Sequence, residues 1–527
     1  MLIMLLMVVV VLQWRAGAFT GALQGDAIAH YVSGLMVHDW LLNQFGAKAV
    51  RYLINYHAHL PVTAFGLWPP FYYGIEGVWM LLSGVGMPAM LLLSGSASAF
   101  LGLAVGLVVA RRSGWMGGLL AALLLVGNPL VQRASNELML DVPAALGCFL
   151  AALAYAAYLA GGRRGAALGF GLLAVIAMMT KYNALALALV PPLCVLIGRR
   201  WDLLRRPTFY LPAAIVGVLA GPWYVLAHGL SEQGFRFEWG LAYLKLATPY
   251  NAGSIFEGLT PIVAVLAVVG LGRVLWRGGR AGMAGSTPIE ISCAALGLSV
   301  FLFLLVVPVA LQDRYLIPCL APLLVLAAHE AIRVFEQLRR PIARGAWVAI
   351  LIVSVVIPAW PVQAVPHNRV AEAAQAALGA LPPGNPMALV VAGKATEPAM
   401  IAAIGMAEPR RPVTWVVRGS RLFGGGGYNN ADYKPRFSDP HDLMKEIDRY
   451  GISLVIFQRT GDAQEWAHVA QFNALLAAEP NRFAKVAEIT DTAPFQIFRV
   501  LGNEARSPDA AALTRLSGPQ ALLRLVQ

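Results

Sequence analysis

Residues 87–126 read MPAMLLLSGSASAFLGLAVGLVVARRSGWMGGLLAALLLV, two apolar runs on either side of Arg111-Arg112. A helix needs roughly 20 mostly apolar residues to cross about 30 Å of hydrocarbon, so runs of this kind are candidate membrane crossings, and a paired arginine between them belongs at the water. The pattern continues in both directions, and about eleven such runs precede Arg369. The first, Leu2 to about Gly17, follows the initiator methionine without a basic segment or an A-x-A cleavage site, and reads as a retained crossing. Of the 527 residues 58% are hydrophobic and only 13% charged, which excludes a disordered chain and an ordinary water-soluble enzyme. The net charge of +12 does not point to nucleic acid, because the arginines come in groups between apolar runs, where they orient a membrane protein.

Those groups are Arg111-Arg112, Arg163-Arg164, Arg199-Arg200 with Arg205-Arg206, then Arg273, Arg277 and Arg280, and finally Arg339, Arg340 and Arg344. If each is cytoplasmic, counting crossings in both directions puts all of them on one face. The count sends Asp26, Asp39, Glu76, Glu137, Asp141, Glu232, Glu238, Glu257 and Asp313 to the other face. One face is therefore expected to carry chemistry and the other to anchor. Residues of about 18–84 form the first extracytoplasmic loop in this reading. Within it Gly66 to Gly84, with Trp68-Pro69-Pro70-Phe71-Tyr72-Tyr73, suits a helix lying at the membrane interface, since a further crossing there would put Arg111-Arg112 on the wrong side.

The expected fold is a polytopic α-helical membrane domain over residues 1–365 and an extracytoplasmic soluble α/β domain over 366–527. After about Pro366 short β-rich runs, Ala388 to Val391, Val413 to Val417, Ile452 to Phe457 and Phe495 to Val500, alternate with helical patterns. Asp439 should cap a helix that has Pro440 in its first turn and ends before Gly451. Cys148, Cys194, Cys293 and Cys319 all lie in apolar runs and read as packing residues.

Ionisable residues at a membrane edge are costly and so mark candidate sites, each with a plainer alternative. Asp26, just after the first run, is a helix cap or a carboxylate facing a cavity. Glu137 and Asp141, four apart, would share one helical face, either to stabilise a helix N-terminus or to meet a cation, metal or substrate hydroxyl. Lys181 could snorkel or hold an anionic phosphate. Arg314 breaks the positive-inside pattern, which favours function, although Asp313 could pair with it. His57 and His59, if extended, would share a face as half of a metal site, or be solvated loop residues. The run Gly424 to Gly427 is a loop around which Phe423, Tyr428, Asn429 and Tyr433 could close over a polar substrate. The chain carries no Ser-His-Asp signature, H-E-x-x-H pair or nucleotide-binding loop, which argues against catalysis powered by ATP.

Taken in order, these motifs resemble the family-39-like branch of the GT-C membrane glycosyltransferases, which includes protein O-mannosyltransferases and the bacterial lipid A aminoarabinose transferase. Asp26 occupies the place of the first-loop aspartate, and Pro69-Pro70 with Tyr72-Tyr73 is similar to the Pro-Pro-aromatic juxtamembrane element. Asp141-Val142-Pro143, Thr180-Lys181, Pro222-Trp223-Tyr224 and Arg314-Tyr315 with Pro318 are similar to the family's Asp-x-Pro, Thr-Lys, Pro-Trp-Tyr and Arg-Tyr-x-x-Pro. The chain departs from relatives that have Asp-Glu in the first loop, where it has Asp26-Ala27, and Glu-Lys before the double proline, where it has Leu67-Trp68. The second change removes a metal or phosphate ligand of the aminoarabinose transferase, so that enzyme's metal site and substrate do not carry over.

The resemblance implies a multi-pass enzyme of the bacterial inner membrane that takes a sugar from a polyprenyl-phosphate carrier at the extracytoplasmic face. The sugar would pass, with inversion, to a hydroxyl of a lipid, glycan or protein acceptor. It assigns Asp26 and Asp141 as catalytic carboxylates, with Asp26 as general base. Lys181, Arg314 and Tyr315 would bind the donor phosphate, and Glu137, Tyr72, Tyr73 and Tyr182 would support the site or the acceptor. No cofactor is certain, and a divalent metal on His57 and His59 is one option. The alternatives are a flippase or transporter, or a polymerase of polyprenyl-linked glycans. The chain shows no internal repeat of the kind transporters carry.

Overall fold

A computed structural model describes residues 1–46, 48–64, 66–231, 235–359, 364–366, 368–425, 433–459, 466–490 and 493–517. Glu232, Tyr428, Asn429 and the second half of the glycine run lie outside these residues. The chain divides into two compact units, one of Met1–Phe19, Phe65–Tyr72 and Met90–Val365, the other of Thr20–Ala64, Tyr73–Ala89 and Pro366–Gln527.

The first unit is a helical membrane domain. Its opening hairpin is the stretch around Arg111-Arg112, a helical trace over Met87–Val126 broken at Gly114, where φ is 72° and ψ 177°. Only glycine adopts that conformation readily. The two arms then pack backbone against backbone: a Cβ on Gly106 would stand 2.8 Å from the Gly118 carbonyl oxygen, and one on Gly102 would stand 3.2 Å from that of Ala122. Small residues at such crossings replace the hydrophobic drive that is absent between helices in lipid. Among the described residues, this helix and Asp141–Gly161, Pro261–Ala284, Pro288–Val306 and Asp313–Gln337 are long and apolar enough to cross a membrane. Leu2–Arg15, Arg164–Met178, Tyr182–Gly198, Pro207–Leu219 and Pro341–Ser354 are shorter apolar helices.

The arginine-bearing ends of these helices are tied together by buried acids that the sidedness count does not anticipate. Glu290 closes a capping box with Thr287 and lies 4.0 Å from Arg112, 3.4 Å from Arg333 and 3.3 Å from His329. Glu330 pairs with Arg333 and, at 3.0 Å, with Arg273. The helix Ile317–Gln337 thus carries Arg314 just before one end and this network at the other.

The second unit holds a five-stranded sheet. Its strands are β1 (Met387–Val391), β2 (Trp415–Arg418), β5 (Leu454–Gln458), β6 (Phe483–Ile489) and β7 (Phe495–Val500). The short strands β3 (Gly424–Gly425) and β4 (Lys434–Pro435) form a separate pair. The order is β2-β1-β5-β7-β6, with β2, β1 and β5 parallel and β7 and β6 antiparallel. All four strand-like runs named from the sequence are strands; β6 is the addition. Leu389, Val455, Ile447 and Phe472 belong to the core between sheet and helices. The Pro440–Tyr450 helix is built as expected, with the Asp439 carboxylate accepting from His441 N at 2.9 Å and Gly451 ending it at φ 69°.

Residues 20–89 contribute three helices to this unit, Asp26–Asn43, Ala49–His59 and all but the first two residues of Phe71–Ser83. The first two are clasped to the α/β domain by Arg411, whose Nε and Nη2 donate to Asp39 at 3.0 and 3.3 Å, while Tyr56 donates to the same carboxylate at 2.8 Å. Asp39 is 2% exposed. Breaking a buried pair strands one charge, so Arg411→Ala is expected to cost about 3–5 kcal/mol in thermal or denaturant unfolding. A loss under about 1 kcal/mol, the size of a surface pair, would contradict the clasp.

Glu76 sits against Gly34, where a Cβ would come within 2.7 Å of its Oε2, and that oxygen is buried without a hydrogen-bond partner. Burial pushes its carboxyl well above the usual range. A raised acid favours the fold below the pKa of the unfolded chain, and the advantage is lost as pH rises toward the folded value. Glu76→Gln should therefore match the wild type near about pH 4 and unfold a few degrees higher near about pH 8. Equal midpoints at both values would contradict this.

Candidate active site

The first unit gathers a polar cluster where two helices start and a third breaks. Helix Arg164–Met178 ends just before Lys181, which is extended (φ −153°, ψ 140°), and the chain resumes as the tight helix Tyr182–Leu189. Non-helical backbone at membrane depth needs protein around it, and Thr180, Lys181 and Asn183 are all buried. The break is braced by Tyr224, whose hydroxyl donates to Met178 O at 2.9 Å, and by Phe71 N, which donates to Met179 O at 3.1 Å. Tyr182 packs edge-on to Tyr224 with ring centroids 5.3 Å apart. The double-proline, Thr-Lys and Pro-Trp-Tyr motifs therefore meet at one break.

Lys181 does not snorkel. Its Nζ donates to Asp141 Oδ1 at 2.6 Å, with Lys181 5% and Asp141 1% exposed. Asp141 opens helix Asp141–Gly161, and its Oδ2 is buried without a hydrogen-bond partner. Lys181 Nζ lies 5.0 Å from the Tyr315 ring centroid and the Arg314 guanidinium carbon 5.5 Å from it, so one aromatic ring carries two cations. Arg314 donates through Nε to Gln312 at 2.6 Å and through Nη1 to the Met139 sulfur at 3.0 Å. The Asp313 carboxylate instead takes hydrogen bonds from Tyr250 and Ser254, each at 2.7 Å.

Glu137 and Asp141 do not share a helical face. Helix Pro129–Asn136 ends at Glu137, Leu138 turns into the left-handed region at φ 54°, and a new helix begins at Asp141. For leucine that conformation costs about 1–3 kcal/mol, the kind of strain stored at functional sites. Glu137 still belongs to the cluster. Burial raises its carboxyl, opposed by Arg133 and Arg314 and reinforced by Asp141.

Asp141, Lys181, Arg314, Tyr315 and Glu137 are thus brought together in the first unit, whereas Asp26, Tyr73, His57 and His59 belong to the second. Asp26 is the first residue of helix Asp26–Asn43, half-buried, behind Gly25 at φ 54°. Tyr73 meets His30 Nδ1 through its hydroxyl at 2.9 Å, and Tyr72 is buried in the first unit.

The shared face expected of His57 and His59 is corrected. Both lie on helix Ala49–His59, where residues two apart point to nearly opposite sides. His57 Nδ1 engages Thr63 at 2.7 Å, and His59 Nδ1 donates to Asn55 O at 2.8 Å while its ring stacks on Trp415 at 3.6 Å. Among the described residues no group of three or more His, Cys, Asp or Glu is arranged to hold a metal ion. Gln312, Met139, Tyr250 and Ser254 were not anticipated. The only signal was the four-residue spacing of Tyr250 and Ser254, which puts two hydroxyls on one helical face.

No family model and no curated protein sequence matches the chain. Solved structures do. ArnT from Cupriavidus metallidurans in the apo state aligns with a TM-score of 0.59 at 15% identity, over 98% of this chain and 99% of that one. Its structure bound to undecaprenyl phosphate gives 0.56 at 16%, over 95% and 98%. The archaeal oligosaccharyltransferase AglB from Archaeoglobus fulgidus, with an inhibitory peptide and a dolichol-phosphate, gives 0.54 at 10%, over 94% and 74%. With helices that can cross a membrane and an α/β unit after them, the chain has the GT-C fold of the polytopic membrane glycosyltransferases.

Proposed function

We propose that this protein transfers a sugar from a polyprenyl-phosphate-linked donor to an acceptor hydroxyl on the extracytoplasmic face of the membrane, with inversion at the anomeric carbon. The observation that carries the reading is the cluster of Lys181 and Arg314 around Tyr315, with Lys181 held by a buried carboxylate. A phosphate leaving with a growing negative charge is stabilised by preorganised cations in a water-poor site. Support also comes from the same fold binding undecaprenyl phosphate in ArnT and a dolichol-phosphate in AglB.

In this reading Asp26 removes the acceptor's hydroxyl proton as that oxygen bonds to the anomeric carbon. The carbon's bond to the phosphate oxygen breaks, and polyprenyl phosphate leaves with the electron pair toward Lys181 and Arg314. Asp141 fixes Lys181 and offers its open Oδ2 to a substrate hydroxyl. Glu137, Tyr72, Tyr73 and Tyr182 line or support the donor and acceptor sites. The arginine-bearing ends lie in the cytoplasm, and residues 366–527 share the outer compartment with Asp26.

A radiolabelled polyprenyl-phosphate sugar, given to the protein in liposomes with membrane extract as acceptor source, tests the reading. Label in a polyprenol-free product, with polyprenyl phosphate released in equal amount, is the expected result. Label that stays on the polyprenol and only changes leaflet would replace the enzyme with a transporter.

A further inference from the structure

The first unit holds an apolar cleft toward its arginine-bearing end. Its walls come from the hairpin Met87–Val126 and the helices Ile317–Gln337 and Pro341–Ser354, joined by Val263 and Leu266 of Pro261–Ala281. Every residue of these walls is described. The cleft encloses about 440 Å³. Leu324 and Phe335 both line it, and between them the helix advances roughly 16 Å at about 1.5 Å per residue.

Water is the wrong occupant for this space. Of the lining side chains only Ser113 and Trp347 carry a nitrogen or oxygen, and both are satisfied within the protein. Ser113 Oγ donates to Val109 O at 3.0 Å, and Trp347 Nε1 donates to Ala331 O at 3.0 Å. A buried water needs about two to four polar partners, whereas an apolar cavity of about 150 Å³ stays dry and takes up benzene. The cleft has about three times that volume, room for an acyl chain of roughly 16 carbons. Packed interiors leave few voids larger than a water, so a gap of this size between helices calls for a hydrocarbon guest.

The charge beside the cleft selects the guest's head group. The Arg344 guanidinium carbon lies 5.2 Å from the ring centroid of Phe335, a wall residue, and Arg344 Nε donates to Leu338 O at 2.8 Å. Arg112, next to the wall residue Ser113, lies 3.7 Å from Glu336 and 4.0 Å from Glu290. The segments 105–126, 261–281 and 317–352 together carry nine arginines, and their acids are Glu330 and Glu336. Glu290 adds a third acid from the neighbouring helix, and Asp202, in another arginine group, is paired with Arg200 and Arg206. Glu290 and Glu330 are buried. The outward charge is therefore that of the exposed Arg111, Arg112, Arg339, Arg340 and Arg344 with Glu336 among them. Basic pockets between membrane helices on this side suit anionic lipid head groups.

We propose that the cleft holds one acyl chain of an anionic phospholipid from the leaflet on the arginine side, with Arg112 and Arg344 as the cations for its phosphate. The chain fills the dry space that the side chains leave, and so completes the packing of Pro341–Ser354 against the rest of the unit. The cleft recognises the hydrocarbon and the arginines recognise the charge. This site is independent of the transfer reading, and its test uses no transfer activity.

The test is titration of the full-length protein in detergent with dioleoyl phosphatidylglycerol, with bound lipids counted by native mass spectrometry. One phosphatidylglycerol should bind saturably and about fivefold or more tighter than dioleoyl phosphatidylcholine, the worth of one arginine near an anionic head group. Ala328→Phe, at a partly exposed wall residue, fills the cleft and should weaken binding about tenfold or more, the loss of about two buried methylenes. Arg344→Gln, at an exposed residue and so without risk to the fold, should weaken it about fivefold. Arg164→Gln removes an exposed arginine on a helix that does not line the cleft, and should bind as the wild type does. Undecaprenyl phosphate at equal concentration should leave the phosphatidylglycerol in place. Equal binding of the two phospholipids, affinity unchanged by Arg344→Gln, or a loss in Arg164→Gln as large as in Arg344→Gln would overturn the proposal. So would displacement by undecaprenyl phosphate, which would give the cleft to a polyprenyl chain.

Discussion

Lys181→Met is expected to lose about 3–5 kcal/mol of stability together with its affinity for undecaprenyl phosphate, because the change leaves the Asp141 carboxylate charged and buried without its cation. The two losses are separable. Adding Asp141→Asn to Lys181→Met removes the stranded charge, so the double variant should recover most of the thermal midpoint while donor binding stays at least tenfold weaker. Arg314→Ala should weaken binding to a similar degree with a smaller effect on stability, since Arg314 is hydrogen-bonded to Gln312 and Met139. A single variant as stable as the wild type would contradict the buried pair. A double variant that binds undecaprenyl phosphate normally would remove Lys181 from the donor site.

Asp26→Asn should act the other way, on turnover and not on the fold. Asp26 stands in the first turn of its helix, where losing a negative charge costs only about 0.3–1 kcal/mol. As the general base its loss should lower kcat by about 10²–10⁴-fold and leave the KM for the donor nearly unchanged. Steady-state kinetics with a labelled donor measure both. Near-normal turnover in a folded Asp26→Asn protein would take the base assignment away.

What could be read ahead of the structure follows the range of the forces involved. Apolar runs bounded by arginine groups announce the membrane helices because burial in lipid is decided residue by residue along the run. The same is true of the Pro440–Tyr450 helix, whose cap, first-turn proline and terminal glycine are all local. β6 was hidden because it is an edge strand in which only Phe483 is fully buried, and Lys485 and Glu488 interrupt its apolar residues. The four-residue spacing of Glu137 and Asp141 misled for another reason: a left-handed Leu138 carries no compositional mark, unlike a glycine. His57 and His59 misled similarly, since helix or strand decides whether residues two apart diverge or align. The pairings that matter most, Asp141 with Lys181 and Asp39 with Arg411, are 40 and 372 residues apart in the chain. Nothing local distinguishes such partners from any other charged residue.

The central claim is a single displacement in which the phosphate leaves from the anomeric carbon as the acceptor oxygen arrives. It is tested most directly by transferring a sugar ¹³C-labelled at that carbon and reading its one-bond carbon–hydrogen coupling in donor and product. The account predicts opposite anomeric configurations in donor and product, with the signal of the product lost in both Lys181→Met and Asp26→Asn. A product of retained configuration, or inverted product formed equally well by either variant, would contradict it.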